Sequence, residues 1–184
     1  DATYTKPFIA HASLMPSCAV ALWEGEHLEV WSHSQGIFNL RADLALVFPG
    51  SSIDVHHSEG AGCYGHNGAD DAALDAALVA RLCGAPVRLL WSRRDELRRA
   101  PFGSAMSMRV RAWLENGRIR HWEHEVWSGG YSLRPGRAPT PTLLAATEIA
   151  SNRFAPREAV NAALAAGGGA ERNAIPGYAF ESLK

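Results

Sequence analysis

Cysteine is scarce in this chain of 184 residues, and its spacing excludes a disulfide framework. Cys18, Cys63 and Cys83 form an odd set without a Cys-x-x-Cys pair, so we expect reduced thiols that are mostly buried. Reduced thiols favour a cytoplasmic protein, although three cysteines leave a periplasmic location open.

Long apolar runs and an excess of charge of either sign are also absent. No apolar stretch reaches the roughly 18–20 residues that a membrane-spanning helix needs, so we expect no membrane span. The 18 basic and 19 acidic residues give a net charge of -1, which argues against binding nucleic acid or a membrane surface through bulk charge. The hydrophobic share of 47% indicates a globular domain with its own core.

Signatures of several enzyme classes are missing as well. The glycines do not follow the dinucleotide-binding Gly-x-Gly-x-x-Gly spacing, and neither Gly-Lys-Ser/Thr nor Gly-x-Ser-x-Gly occurs. Four potential metal ligands stand near one another, namely His56, His57, Cys63 and His66. They match no standard zinc spacing, and adjacent histidines in a strand point to opposite faces, so we expect no metal site among them.

Cys63 is the one candidate nucleophile that the sequence offers. A thiol at the start of a helix can have a lowered pKa, which makes it reactive. The alternative, which we favour, is a small side chain that fills a tight turn. We therefore do not expect Cys63 to act as a nucleophile.

Hydrophobic periodicity predicts an α+β fold, with a mixed β-sheet and a few packed helices. The predicted strands are Cys18–Trp23, His27–Trp31, Ile53–His57 and Pro86–Trp91. Ile37, Leu40, Leu44 and Val47 fall at helical spacing, with Arg41 and Asp43 assigned to the opposite side.

A second helix is predicted over Asp71–Leu82, between two strands, which indicates one right-handed β-α-β crossover. Asp70 or Asp71 is the expected N-cap, and Gly84 is the expected left-handed terminator. The expected apolar stripe consists of Leu74, Ala77, Leu78 and Leu82, and the alanines make a thin helix that can pack closely on a sheet.

Asn116-Gly117 is a type I′ turn signal between two alternating runs and predicts a β-hairpin over Ser104–Trp127. A two-residue turn pairs Glu115 with Arg118, Trp113 with Arg120, Arg111 with Trp122 and Arg109 with His124. This register puts Glu123 and Glu125 on the apolar face, where they are either paired or at a solvated rim, the rim being favoured. Two further helices are expected, from Pro141 to about Ala150 and from Pro156 to Gly167.

Residues 58–72 form a glycine-rich stretch between a predicted strand and a predicted helix, with glycines at positions 60, 62, 65 and 68. Glycine lets the backbone come close to a neighbour that side chains would exclude. The free N–H groups at a helix start favour an anion or an oxo group. A plain strand-to-helix loop explains the same residues, so the stretch alone names no function.

Together with its flanks, the stretch resembles the molybdenum-binding subunits of the xanthine dehydrogenase/aldehyde oxidase family. Gly60-Ala-Gly-Cys-Tyr-Gly resembles the family's Gly-Gly-Gly-Phe-Gly loop, with Tyr64 at the Phe position and Cys63 at the third Gly. Three further segments resemble family motifs in the same order: Ala10-His-Ala-Ser-Leu-Met-Pro, Leu28-Glu-Val-Trp-Ser-His-Ser-Gln and Ala85-Pro-Val-Arg-Leu-Leu-Trp-Ser-Arg-Arg-Asp-Glu. The resemblance is nearest to the isoquinoline oxidoreductase and nicotinate dehydrogenase type.

The resemblance implies a molybdenum–pterin dinucleotide in the full-length protein, with Gly62, Cys63, Tyr64 and Gly65 presenting backbone N–H groups to it. It implies hydroxylation of an N-heterocycle or an aldehyde with oxygen from water, a base Glu in a C-terminal domain, and an iron–sulfur subunit as the electron-transfer partner. We expect residues 1–136 to be part of the cofactor-binding domain and residues 137–184 to be a helical or loop extension toward the missing C-terminal domain. Neither bound cofactor nor activity is expected of this chain alone.

A non-catalytic scaffold that kept the fold and lost the cofactor is the alternative. Met15 stands where the family usually has Glu, and nothing in the chain matches the catalytic Glu segment.

The chain begins at Asp1 in a strand-like segment, without an initiator Met or a signal peptide, so we expect a piece of a longer protein.

Overall fold

The computed structural model describes residues 1–129, 140–149, 154–155, 160–163 and 169–184. The chain divides into two compact units. The first combines Asp1–Ile9, Gly103–Ser132 and Glu158–Lys184, and the second combines Ala10–Phe102 and Leu133–Arg157. Strands and α-helices occur together in these ranges, so the α+β class expected from the sequence is confirmed.

The secondary-structure elements are numbered in chain order. The strands are β1 (Ala2–Lys6), β2 (Ile9–Ala10), β3 (Cys18–Glu24), β4 (His27–Ser32), β5 (Ser52–His57), β6 (Val87–Leu90), β7 (Phe102–Gly103), β8 (Met106–Glu115), β9 (Arg118–Ser128) and β10 (Ser182–Leu183). The helices are α1 (Ile37–Val47), α2 (Ala69–Cys83) and α3 (Arg93–Arg99), with a 3₁₀-helix over Leu144–Thr147. None of the helices within the described ranges is long and apolar enough to cross a membrane.

The second unit is built on a four-stranded mixed sheet with the order β5-β4-β3-β6. Strand β3 runs antiparallel to both β4 and β6, while β4 and β5 are parallel. Strands β5 and β6 therefore point the same way with two strands between them, and α2 links them in a β-α-β connection.

Helix α2 packs closely on this sheet because its buried face is made of alanine. Ala73, Ala76, Ala77 and Ala80 are fully buried. The indole Nε1 of Trp23, on β3, donates a hydrogen bond of 2.9 Å to the carbonyl of Ala77. A larger side chain on this face would separate the helix from the strand.

The predicted stripe of α2 is wrong at its last member, and so is the predicted N-cap. Leu82 is 87% exposed, because at about 100° per residue it lies about 180° around the helix from the buried Ala73. Helix α2 begins earlier than predicted, with Gly68 as its N-cap and no capping side chain, so Asp70 and Asp71 lie in the first turn and are buried. The predicted terminator Gly84 is confirmed in the left-handed conformation.

Asp43 is a further correction, because the sequence assigned it to the side of α1 away from the core. Its side chain is completely buried. Its Oδ2 accepts hydrogen bonds from the backbone N–H of Thr142 at 2.8 Å and from the Thr142 hydroxyl at 3.1 Å. A partner 99 residues away along the chain therefore explains why a carboxylate sits on the buried face.

The helix predicted over 141–150 is reduced to the 3₁₀-turn Leu144–Thr147. The N–H groups of Thr142 and Leu144 bind the carboxylates of Asp43 and Asp71, and these bonds accompany a non-helical backbone before the turn. Of the helix predicted over 156–167, residues 160–163 are not helical and the others lie outside the described residues.

Helix α3 was not predicted from the sequence. Ser92 is its N-cap and accepts a hydrogen bond from the N–H of Asp95, whose carboxylate accepts one from the N–H of Ser92. This reciprocal pair is a capping box, and the spacing of Ser92 and Asp95 was a readable signal for it.

The first unit contains a four-stranded sheet with the order β1-β8-β9-β10. The hairpin between β8 and β9 turns at Asn116 and Gly117, whose φ angles are 52° and 72°. The predicted type I′ turn is therefore confirmed, since that turn needs positive φ at both central residues. Strand β10 joins the other edge of β9 in parallel.

The predicted register of this hairpin is correct only next to the turn. Leu114 lies opposite Ile119 but Trp113 lies opposite His121, so a β-bulge leaves Arg120 as the extra residue on β9. Because one extra residue exchanges the two faces of a strand, the predicted neighbours of Trp113, and of every earlier residue of β8, are wrong.

The bulge also corrects the assignment of Glu123 and Glu125. Arg111 lies opposite Glu123, and its Nη2 is 2.8 Å from a carboxylate oxygen of Glu123 and 3.3 Å from one of Glu125. His121 Nε2 is 3.1 Å from the other oxygen of Glu123. Both carboxylates are therefore paired with Arg111, and the favoured interpretation as a solvated rim is wrong for Glu123, which is 14% exposed, while Glu125 is paired and also exposed.

Substitutions at a buried and at an exposed position of α2 should differ in their effect on the free energy of unfolding. Ala77→Leu should lower the free energy of unfolding by about 1–3 kcal/mol, because an overfilled core forces the helix away from β3. Leu82→Ala, at the exposed position, should change it by less than about 0.5 kcal/mol. Urea titrations followed by circular dichroism measure both, and a larger loss for Leu82→Ala would contradict the packing described here.

Candidate functional site

The glycine-rich stretch forms a loop, residues 58–68, that connects β5 to α2 within the second unit. Within this glycine loop, Gly62, Tyr64 and Gly65 have positive φ angles of 85°, 53° and 134°, while Cys63 does not. The sign of φ therefore alternates over residues 62–64. Residues in alternating right- and left-handed helical conformations turn successive N–H groups toward one side, as in a backbone anion site, and the signs of φ over residues 62–64 match that pattern.

Two carbonyls in the middle of the glycine loop accept hydrogen bonds. The carbonyl of Ala61 accepts from the N–H of Leu14 at 3.2 Å, and that of Gly62 accepts from the side-chain amide of Asn67 at 3.4 Å. Within the part of the chain that the structure describes, the N–H groups of Gly62, Cys63, Tyr64 and Gly65 donate to no other residue.

Each glycine of the loop faces a ring of this chain. A Cβ atom placed on Gly60, Gly62, Gly65 or Gly68 would lie 2.7, 2.7, 2.2 or 2.3 Å from the ring of His33, Tyr64, His11 or Trp91, respectively. Distances this short exclude a side chain at each position as the rings now stand. The sequence predicts that a neighbour comes close to the backbone of these glycines, and that neighbour is a ring of the protein itself.

Gly62 differs from the other three glycines in the nature of its neighbour. The Tyr64 ring is 61% exposed and meets Gly62 with its outer end, so it can move aside at low cost. Packing therefore restricts a side chain at position 62 less than it does at position 65 or 68. The positive φ of Gly62 still disfavours any side chain there.

His33 connects the glycine loop to strand β3. Its Nε2 accepts a hydrogen bond from the N–H of Cys18 at 3.3 Å, and its Nδ1 is 3.5 Å from the Asn67 amide nitrogen. Burial lowers the pKa of His33, against the opposing effect of the Glu96 carboxylate. The imidazole is therefore neutral at neutral pH, with an unprotonated Nε2 facing β3.

A groove of about 350 Å³ lies beside the loop, on the same unit. Gly60 and Ala61 form one side, and its lining includes the Trp31 ring, the His33 ring and Arg88. Met15, the residue at the position of the family's Glu, also lines this groove and is 57% exposed.

A smaller cavity of about 140 Å³ lies at the start of α2 and is lined by His66, Asp70 and Asp71. The Oδ1 of Asp71 accepts a hydrogen bond from the N–H of Leu144 at 2.8 Å. Burial raises the pKa of Asp71 to about 7, although this hydrogen bond acts in the opposite direction. His66 Nε2 is 3.4 Å from Asp70 Oδ2.

The potential metal ligands do not converge. His56 stacks on Trp31 with ring centroids 5.1 Å apart, and Cys63 is a half-buried free thiol in the loop. No group of three or more His, Cys, Asp or Glu residues is placed to hold a metal ion, as far as the described ranges extend.

The burial of Asp43, Asp71 and Glu96 was not predicted from the sequence, nor were the hydrogen bonds of their carboxylates. Each accepts a hydrogen bond from the backbone N–H of a distant residue. A carboxylate within a run of charged residues, as Glu96 is, gives no local sign of burial, because its partner is set by tertiary structure.

Asp71 predicts a pH dependence of stability. Its carboxyl has a pKa of about 7 in the folded protein and 3.8 as the ordinary value, so the unfolded chain ionises first as the pH rises. The contribution of the neutral Asp71 carboxyl to the free energy of unfolding is complete below about pH 4. It decreases by up to about 4 kcal/mol as the pH rises to 7. In Asp71→Asn this contribution should vanish, which a series of urea titrations between pH 4 and 8 would measure.

Asp54→Asn, at an exposed carboxylate, is the matched control and should keep the wild-type slope. Some slope should remain in Asp71→Asn, because burial also raises the pKa of Asp75. A slope unchanged by Asp71→Asn would show that Asp71 ionises in the folded protein as it does in the unfolded chain.

Comparison with known proteins identifies the family of this fold. The family model described as "Molybdopterin cofactor-binding domain" matches residues 1–150. The chain is 34% identical to a subunit of the nicotinate dehydrogenase of Pseudomonas putida, covering 99% of this chain and 14% of the relative. It is 32% identical to the aldehyde oxidoreductase molybdenum-binding subunit PaoC of Escherichia coli, covering 76% of this chain and 19% of the relative.

A solved structure shows the same fold. Quinoline 2-oxidoreductase from Pseudomonas putida 86 superposes with a TM-score of 0.57 at 21% identity, covering 70% of this chain and 17% of that one. The match spans between about a seventh and a fifth of the length of these three proteins. On the family match over residues 1–150, the chain belongs to the family of molybdopterin cofactor-binding domains.

Proposed function

We propose that the glycine loop presents the N–H groups of residues 62–65 to a molybdenum–pterin dinucleotide in the full-length protein. The observation that supports this most is the set of four backbone donors without an acceptor among the described residues. The alternating φ of Gly62, Cys63 and Tyr64 turns such donors toward an anion or an oxo group. Family membership gives the cofactor class.

The residues present fit such a group because the donors are backbone amides and no charged side chain has to be desolvated. When bound, the cofactor supplies a redox centre that can accept two electrons from a substrate. Gly62 allows an acceptor to come close because it has no side chain, and the exposed Tyr64 ring beside it can be displaced. The His11 ring against Gly65 fixes the far end of the donor set.

We further propose that the full-length protein hydroxylates an N-heterocycle or an aldehyde with oxygen from water. The names of the relatives support this, since nicotinate is an N-heterocycle and the second relative is an aldehyde oxidoreductase. Both names denote subunits, which supports assembly with partner subunits, and we propose an iron–sulfur subunit among them. The base Glu and the remaining cofactor-binding loops come from outside these 184 residues.

A scaffold without cofactor is the second candidate, favoured by one observation. Met15 replaces a Glu of the family pattern and lines the groove beside the loop without offering a polar group. The molybdenum content of the purified full-length protein separates the two candidates. About one atom per protein supports the enzyme, and none in molybdenum-replete cells supports the scaffold.

Gly62→Ala tests the loop in the full-length protein. The added methyl group should move the backbone donors away from the acceptor while the fold persists. Losing one preorganised donor typically lowers turnover on the order of 10²–10³-fold, so we expect that loss in turnover per bound molybdenum.

Gly50→Ala is the matched control, because Gly50 has the same φ of 85° and no atom within 4 Å of an added Cβ. Both variants therefore bear the same left-handed backbone strain, of about 1–2 kcal/mol. Turnover per molybdenum should stay normal in Gly50→Ala. Equal turnover in both variants would mean that the glycine loop is only a turn.

A further inference from the structure

Buried polar atoms without a partner are concentrated in two neighbouring segments of the second unit. Within the described ranges, five buried side-chain atoms without a hydrogen-bond partner belong to residues 11–17, here called the leading segment, or to helix α3. They are His11 Nδ1, Ser13 Oγ, Ser17 Oγ, Arg93 Nη1 and Glu96 Oε1. Natural proteins leave few buried polar groups unpaired, so such a concentration indicates a function beyond packing.

Helix α3 and the residues just before it hold the leading segment through three hydrogen bonds. The buried Glu96 accepts from the N–H of Ser17 at 2.9 Å. The carbonyl of Ser17 accepts from the N–H of Trp91 at 2.9 Å. Arg93 Nη2 donates to the carbonyl of Leu14 at 2.7 Å. Two of the three bonds involve a charged side chain, and such bonds are about twice as strong as neutral ones.

The leading segment in turn holds the glycine loop at two points. The N–H of Leu14 donates to the carbonyl of Ala61 at 3.2 Å. The His11 ring packs against Gly65 so closely that an added Cβ would lie 2.2 Å from it. Leu14 is therefore a single-residue link, with its carbonyl bound to α3 and its N–H bound to the loop.

A second connection from α3 reaches the other end of the loop. His33 Nε2 accepts a hydrogen bond from the N–H of Cys18, which directly follows Ser17, the residue that Glu96 binds. The His33 ring faces Gly60, within 2.7 Å of an added Cβ. Helix α3 is thus connected to both ends of the run from Gly60 to Gly65, which contains the four donors that are unpaired within the described residues.

We propose that Arg93 and Glu96 are positioning residues, which hold the glycine loop through the leading segment in the shape that presents its N–H groups. The inference rests on the proposed cofactor function, because it assigns the two residues to the same site. A merely structural helix would stabilise the whole unit, whereas a positioning helix controls the glycine loop specifically.

The thiol of Cys63 offers a local probe of the loop. Trypsin releases residues 42–81 as one peptide in which Cys63 is the sole cysteine, while Cys18 and Cys83 fall in other peptides. Maleimide labelling followed by mass spectrometry therefore gives a separate rate for each thiol. The full-length protein from cells grown without molybdenum is the sample, so that cofactor does not cover the loop.

Arg93→Met should raise the labelling rate of Cys63 by about ten- to a hundredfold, which is the effect of losing one charge-assisted hydrogen bond on a local opening equilibrium. Glu96→Met should act in the same direction, and Glu96→Gln should restore most of the wild-type rate because its amide oxygen still accepts from Ser17. Cys18 should keep its wild-type rate, since global unfolding would expose it as well. In molybdenum-replete cells, both Met variants should hold less molybdenum per protein than the wild type.

Arg98→Met is the matched control, because Arg98 is an exposed arginine of the same helix. If Arg93→Met and Glu96→Met label Cys63 no faster than Arg98→Met does, or raise Cys18 equally, the positioning role is wrong. If Glu96→Met fails to fold, the comparison of Arg93→Met with Arg98→Met tests the proposal by itself, because Arg93 is only half-buried. Faster labelling with unchanged molybdenum would overturn the proposed positioning of the cofactor loop and leave only a mechanical link, whereas no molybdenum in the wild type would overturn the cofactor function itself.

Discussion

Three buried carboxylates hold irregular chain segments onto the regular elements of the second unit. Asp43 binds Thr142, Asp71 binds Leu144, and Glu96 binds Ser17, in each case at a backbone N–H. A backbone group that is buried outside a helix or a sheet needs such a partner, because leaving it unpaired is costly. The strands and helices supply the apolar core, but the carboxylates decide where the connecting segments lie. The glycine loop depends on one of them through the leading segment.

The elements that follow from local pattern could be predicted from the sequence, and those that follow from distant contacts could not. Strands β3 and β4, helices α1 and α2 and the turn at Asn116 were readable because periodicity, alternation and turn chemistry are local. The burial of Asp43 could not be predicted because its partner is 99 residues away. The predicted pairing of β8 with β9 was wrong because a single bulge residue exchanges the two faces of the strand. Helix α3 was missed although its capping box was readable.

The candidate site was predictable to the same degree. Glycine spacing indicated a close backbone approach, and the motif order indicated the family, which the match over residues 1–150 confirms. What the sequence could not show is that the rings of His11, His33 and Trp91 already occupy the space beside three of the glycines. Only Gly62, with its displaceable neighbour, is left as a glycine whose near side can be opened to something else. The loop thus combines glycines required by the fold with one glycine that packing leaves less constrained.

The contact between Gly65 and His11 links the evolutionary fates of two positions that are far apart in the chain. A methyl group at position 65 would overlap the imidazole, and Gly65 also has a φ of 134° that side chains rarely adopt. Position 65 can therefore gain a side chain only if the ring at position 11 moves or is lost, and loss of the ring would leave a void beside the loop. A substitution at either position thus changes which side chains the other can accept.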